Sequence, residues 1–251
     1  MITAHDRAVN NRTAALVLVA LMATACGDGS TGTGTPEPAP VTEEHGEVWS
    51  RVDLPGLDDN VKHDTLLIQT TFDLGDSTYL MVASHVEETR EGIRLYRYRV
   101  KPDSSAEVLS WSKPGYDSST MLPTFFRSPD ASQGWLLLAN MGERESWGQE
   151  VFWLKDGAFI HMGYLDVAQR EWKSYDDSTY QWRTNIAPRA VVERTADAFR
   201  IGFSGDSIQL YDDLQGNRER MLPAQRLRYR CAPGQATLLI DGEPVLPAVA
   251  G

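Results

Sequence analysis

The chain has 251 residues, 24 of them basic and 35 acidic, and a formal net charge of −11 at neutral pH. That balance excludes the basic footprint of a nucleic-acid binder and an electrostatic grip on anionic lipid. The length allows a substantial core, and seven tryptophans help to fill it.

The N-terminus carries Arg7 and Arg12, then an apolar run from Ala14 to Ala23. Ten residues make a signal-peptide core; a membrane span needs about 20. The triplet Ala23, Thr24, Ala25 satisfies the small-x-small rule for cleavage and stands directly before Cys26. The segment resembles the lipobox of bacterial lipoproteins, in which small residues precede an invariant cysteine. That resemblance implies cleavage before Cys26 and lipid on its sulfur and its new amino group. Ala23 stands where the pattern usually has Leu, so ordinary cleavage after Ala25 is the alternative. Gly27, not Asp, follows the cysteine, which by the same resemblance implies the outer membrane in a Gram-negative cell. Two or more acyl chains suffice for stable anchoring.

The tract GDGSTGTGTPEPAP is too polar to bury anything and reads as a tether. About 20 such residues span roughly 25 Å. The expected organisation is a signal peptide over 1–25, a lipidated cysteine and tether over 26–46, and one globular domain over 47–251. Residues 1–25 carry Asp6, Arg7 and Arg12, a net +1, so their removal takes the charge from −11 to −12. With Cys26 lipidated, Cys231 has no partner within the chain, and a small buried residue is its expected role. Without lipidation, a Cys26–Cys231 bridge is the alternative.

From Thr65 onward, short β-type runs recur between turn residues. TLLIQTTF, DLGD and STYLMVASHV come first. GIRLYRYRV alternates, with Tyr96, Tyr98 and Val100 on one face. QEVFWLK and AFIHMGYL flank Asp156-Gly157, a pair suited to a tight turn because both positions tolerate positive φ. LDVAQREWKSY is the best helix candidate, and a weak one. AFRIGFS and SIQLY flank Gly205-Asp206 and read as a second hairpin. QRLRYRC should place Arg226, Arg228 and Arg230 on one solvated strand face. QATLLI followed by DGEP closes the series. Ten to thirteen strands with little helix predict a mainly β domain: an antiparallel meander forming a sandwich, barrel or propeller-like sheet. No sustained repeat supports propeller blades.

No catalytic set is complete. In GFSGD around Ser204 the second glycine is misplaced for a nucleophile elbow, and the segment reads as a strand reaching a hairpin, not a strand entering a helix. LGDST around Ser77 resembles the Gly-Asp-Ser block of the SGNH hydrolases, but the Asp-x-x-His that family needs is absent: Ala158 stands three before His161. No two of His45, His63, His85 and His161 have a ligand spacing. The acidic loops at 58–64, 175–179 and 211–217 lack a calcium-loop pattern. Neither metal nor cofactor is called for.

The segment 164–184 packs Tyr164, Trp172, Tyr175, Tyr180 and Trp182 among polar residues, and Trp147, Gln149 and Glu150 sit in SWGQE. Flat rings with nearby donors and acceptors suit a glycan, and the same rings could anchor a protein. Alternation in STYQWRTNI equally fits a half-buried strand, and the core reading is the stronger. The expected function is a non-enzymatic envelope lipoprotein that binds an envelope glycan or protein through Trp147, Trp172, Tyr175, Tyr180 and Trp182. The alternatives are a cell-envelope hydrolase using paired carboxylates, or an immunity or inhibitor protein whose acidity suits a basic target.

Overall fold

The computed structural model describes residues 46–57, 61–86, 92–113, 115–211 and 219–245. Cys26, the segment expected to be a signal peptide and nearly all of the expected tether lie outside the described residues. Among the described residues, eighteen strands follow in chain order. The first nine are β1 (Glu47–Val52), β2 (Leu66–Asp73), β3 (Tyr79–His85), β4 (Ile93–Val100), β5 (Ala106–Trp111), β6 (Thr120–Arg127), β7 (Trp135–Gly142), β8 (Ser146–Lys155) and β9 (Ala158–Leu165). Then come β10 (Val167–Tyr175), β11 (Ser178–Thr184), β12 (Ala190–Arg194), β13 (Phe199–Phe203), β14 (Ser207–Leu210), β15 (Arg220–Pro223), β16 (Leu227–Ala232), β17 (Gln235–Ile240) and β18 (Glu243–Pro244). The helical segments described are three-residue 3-10 turns. The protein is mainly β and antiparallel, with the character of a sandwich and a barrel.

Ten strands form one sheet in the order β18-β17-β16-β13-β12-β1-β6-β7-β8-β9. The sheet curls until β9 meets the β16–β17 turn, where the Gly234 N–H donates to the His161 carbonyl at 2.7 Å. A Cβ at Gly163 would lie 2.2 Å from the Ala236 nitrogen, so the seam needs glycine there. The concave face holds the largest core. Phe126, Leu138, Val151, Ile201, Leu227 and Tyr229 fill it, and Trp49 meets Phe199 edge-on at 4.9 Å.

A second sheet, β2-β3-β4-β5, covers the outer face of β6–β8. Phe72, Leu80, Val82 and Leu95 there pack on Phe125, Leu137, Phe152 and Leu154. Its far face buries Met81, Ala83, Tyr96 and Tyr98 with Val61 and Leu66. The β7–β8 hairpin is therefore a wall between two cores. Such strands read as continuous apolar runs, and all eight residues of β7, WLLLANMG, are buried. By contrast β16 alternates as expected: Leu227, Tyr229 and Cys231 face inward, while Arg228 and Arg230 face solvent. Arg226 lies in the turn just before β16 and pairs with Asp241 at 2.5 Å. Burial pushes the Cys231 thiol up to about 12.

The third sheet, β11-β10-β14-β15, adds Val167, Ile208 and Leu210 to the largest core. Here the structure departs from two expectations. LDVAQREWKSY contains β10, not a helix, because β11 and β14 supply cross-strand partners along it. β13 and β14 are not a hairpin. β13 pairs with β12 and β16, while β14 pairs with β10 and β15. The Gly205-Asp206 turn instead carries the chain from one sheet to another, held by the Ser204 N–H on the Arg189 carbonyl at 2.9 Å. The strands also outnumber the ten to thirteen expected; β15 and β18, of four and two residues, are among those too short to announce themselves. The sheets are not propeller blades.

Candidate functional site

The aromatic segment forms the β10–β11 hairpin. Its register pairs Tyr175 with Ser178, Lys173 with Tyr180, Trp172 with Gln181 and Glu171 with Trp182. Directly opposed residues share a face, and successive residues alternate. Tyr180, Trp182 and Lys173 therefore lie on one face, and Trp172 lies on the other with Arg170 and Arg183. Trp172 is 69% exposed and Tyr180 52% exposed. Trp182 is half-buried, with the Lys173 ammonium 5.6 Å from its ring centroid. Tyr175 takes its place in the register at the hairpin end.

The Trp172 and Tyr180 rings are not core. The stronger expectation for STYQWRTNI, a half-buried strand, holds at Trp182 and Thr184 and fails at Tyr180. Among the described residues, no second layer covers that end of the hairpin, and Ile186 is buried only after the strand has ended. Nor do the candidate residues make one platform, because the pleat separates Trp172 from Tyr180 and Trp182.

Trp147 is partly exposed at the start of β8, and its carbonyl accepts the Tyr164 hydroxyl at 2.6 Å. A Cβ at Gly148 would lie 2.2 Å from that hydroxyl, so the Tyr164 ring lies across β8 only because position 148 is glycine. Gln149 and Glu150 do not surround Trp147 at the surface. Both are buried, because β8 is covered on both faces there. Gln149 Nε2 donates to Asn140 Oδ1 at 2.7 Å, and the Ser146 hydroxyl donates to the same oxygen at 2.6 Å. Glu150 Oε2 lies 2.7 Å from His161 Nε2. Burial, then the Glu150 charge, raise the nearby Tyr116 phenol well above its ordinary value.

A polar brace holds the hairpin base. Arg183 Nε donates to Glu145 at 2.6 Å, and Arg170 reaches Glu219 at 3.2 Å and Gln209 Oε1 at 3.1 Å. The Arg183 guanidinium stands 5.2 Å from the Tyr211 ring centroid, and the Tyr211 hydroxyl donates to the Ser146 carbonyl at 2.8 Å. Burial opposes the charge on Arg183, but the Glu145 hydrogen bond and the charges of Tyr211, Glu145 and Glu219 together outweigh it and keep the pKa above the ordinary value. Sequence reasoning missed this brace. Its residues span 145 to 219, and only the register brings them together.

Ser77 is an exposed turn residue at φ 62, and the Ser204 hydroxyl donates to the Arg189 carbonyl at 3.1 Å. Among the described residues, no three His, Cys, Asp or Glu side chains are grouped to hold a metal ion. No family model, curated protein or solved structure matches the chain.

Proposed function

We propose that the chain is an exported, lipid-anchored binding protein, held at Cys26, whose β10–β11 hairpin engages a protein partner of the cell envelope. The observation that carries this reading is the exposure of Trp172 and Tyr180 on opposite faces of one braced hairpin. Leaving a large side chain in water forgoes about 1.5–3 kcal/mol of burial, and tryptophan and tyrosine dominate binding hot spots. A flat glycan platform wants its rings on one side. Rings on both sides suit a cleft that grips the hairpin from above and below, which is a protein's geometry. A second reading, a glycan site, draws on the Tyr180–Trp182 face alone, where two rings and Lys173 lie together.

The test captures partners from solubilised envelope on the immobilised chain, with Trp172→Ala and Tyr180→Ala as separate variants. A protein lost in both variants supports the first reading. A glycan lost only with Tyr180→Ala supports the second. Retention unchanged in both variants would overturn the assignment of the site to this hairpin.

A further inference from the structure

A second place in the molecule has unused binding capacity. Glu145, part of the hairpin brace, immediately precedes β8, whose ten residues run about 30 Å. Where β8 ends, the turns after β2, β6 and β8 surround a cleft of about 410 Å3. Arg97, Arg127, Ser132, Trp135, Asp76 and Asp156 line it.

The cleft holds more donors than acceptors. Arg97, on β4, spends its Nε on the Thr78 hydroxyl at 3.1 Å and its Nη2 on Asp76 at 3.4 Å. Its Nη1 points at Gly157: a Cβ there would lie 2.7 Å from that nitrogen. Glycine at φ +77 thus keeps the approach open. Arg127 closes β6 and stacks on Trp135, 4.6 Å from guanidinium carbon to ring centroid. Its Nε is buried and has no hydrogen-bond partner. A buried donor left without an acceptor costs about 1–3 kcal/mol, and more in a charged group. Asp76 is already engaged by Thr78 and Arg97. Burial works to raise its carboxyl, and those hydrogen bonds hold it below the usual range. Asp156 sits exposed on the tight β8–β9 turn, at the rim.

We propose that this cleft binds a carboxylate, received by Arg127 and by Nη1 of Arg97. A guanidinium presents donors in a planar fork that matches a carboxylate's two oxygens. Arg97 is fixed by Thr78 and Asp76, and Arg127 by the Trp135 ring, so little side-chain freedom is lost on binding. The Asp156 charge disfavours dianions and makes the site selective for a single negative charge. The volume admits a sugar acid or the end of a peptide behind the carboxylate. The site is independent of the hairpin reading above.

The full-length chain, in detergent, is titrated with acetate, glucuronate, N-acetylalanine and sulfate at pH 7. The indole N–H resonance of Trp135 is followed, assigned with Trp135→Phe. Saturable shifts are expected with the carboxylates, weakened at least about tenfold by Arg127→Met, the size of one lost charge-assisted hydrogen bond. Sulfate should bind more weakly, and Asp156→Asn should narrow that difference. Tighter binding of glucuronate than of N-acetylalanine identifies a sugar acid as the source, and the reverse order a peptide end. Absence of saturable shifts with every carboxylate, or binding unchanged in Arg127→Met, overturns the proposal. Tighter binding of sulfate than of any carboxylate also overturns it. Should Arg127→Met not fold, Ser132→Trp, at an exposed lining position, fills the cleft and must abolish the shifts.

Discussion

Trp153 and Trp172 are the same residue type on neighbouring hairpins, put to opposite uses. Trp153, on β8, is 9% exposed. Its indole N–H donates to the Gln133 carbonyl at 2.8 Å, and Lys155 and Arg194 each approach its ring to 4.7 Å. Trp172, on β10, stands in water. The β7–β8 wall has a sheet on one side and the curl of its own sheet on the other. Among the described residues, the β10–β11 hairpin has neither along its outer half. Strand chemistry does not decide which tryptophan is buried; the number of layers above each face does.

The sharpest way to break this comparison is to truncate both rings. Trp153→Ala should cost about 3–5 kcal/mol in denaturant unfolding. A loss under 1 kcal/mol would mean that the wall is not a shared core. The seam gives the next effect. Gly163→Ala puts a methyl against the Ala236 backbone and should cost about 2–3 kcal/mol, with faster amide exchange in β9 and β17 before the other strands. The buried thiol sharpens the contrast through pH. The unfolded thiol ionises near 9 and the folded one near 12. Folding therefore resists ionisation, and stability should fall as pH rises from about 9, by up to about 1.4 kcal/mol per unit. Cys231 should accordingly react with a disulfide reagent only on unfolding. Arg183→Ala removes a partly exposed ion pair, so its global cost should stay below about 1 kcal/mol, while exchange in β11 accelerates and in β7 does not. Trp172→Ala comes last, within about 0.5 kcal/mol on stability. A larger loss would show that its ring is packed.

Much of this was legible in the order of residues. Alternation around Arg228 and Arg230 foretold a strand with one wet face, and Asp156-Gly157 foretold the turn between β8 and β9. The β13–β14 misreading had a physical origin: Gly205-Asp206 has hairpin chemistry, but pairing depends on which edges are vacant nearby, and β13 already had β12 and β16. The two-faced hairpin was nearly within reach. A two-residue turn at Asp176-Asp177 fixes Trp172 opposite Gln181 and Trp182 opposite Glu171, and so puts the two indoles on different sides. LDVAQREWKSY hid it by mixing charges at a spacing a helix also tolerates. The carboxylate cleft was out of reach, since Arg97, Arg127 and Asp156 meet only after three sheet connections have been made.

The brace at the hairpin base has an evolutionary consequence. Arg170, Arg183, Glu145 and Glu219 fasten the hairpin where it leaves the body, and the residues beyond them contribute nothing to the three cores. Selection could therefore rewrite Trp172 through Gln181 freely while the rest of the protein stays fixed. A lineage that needed a new partner would change the tip and keep the scaffold.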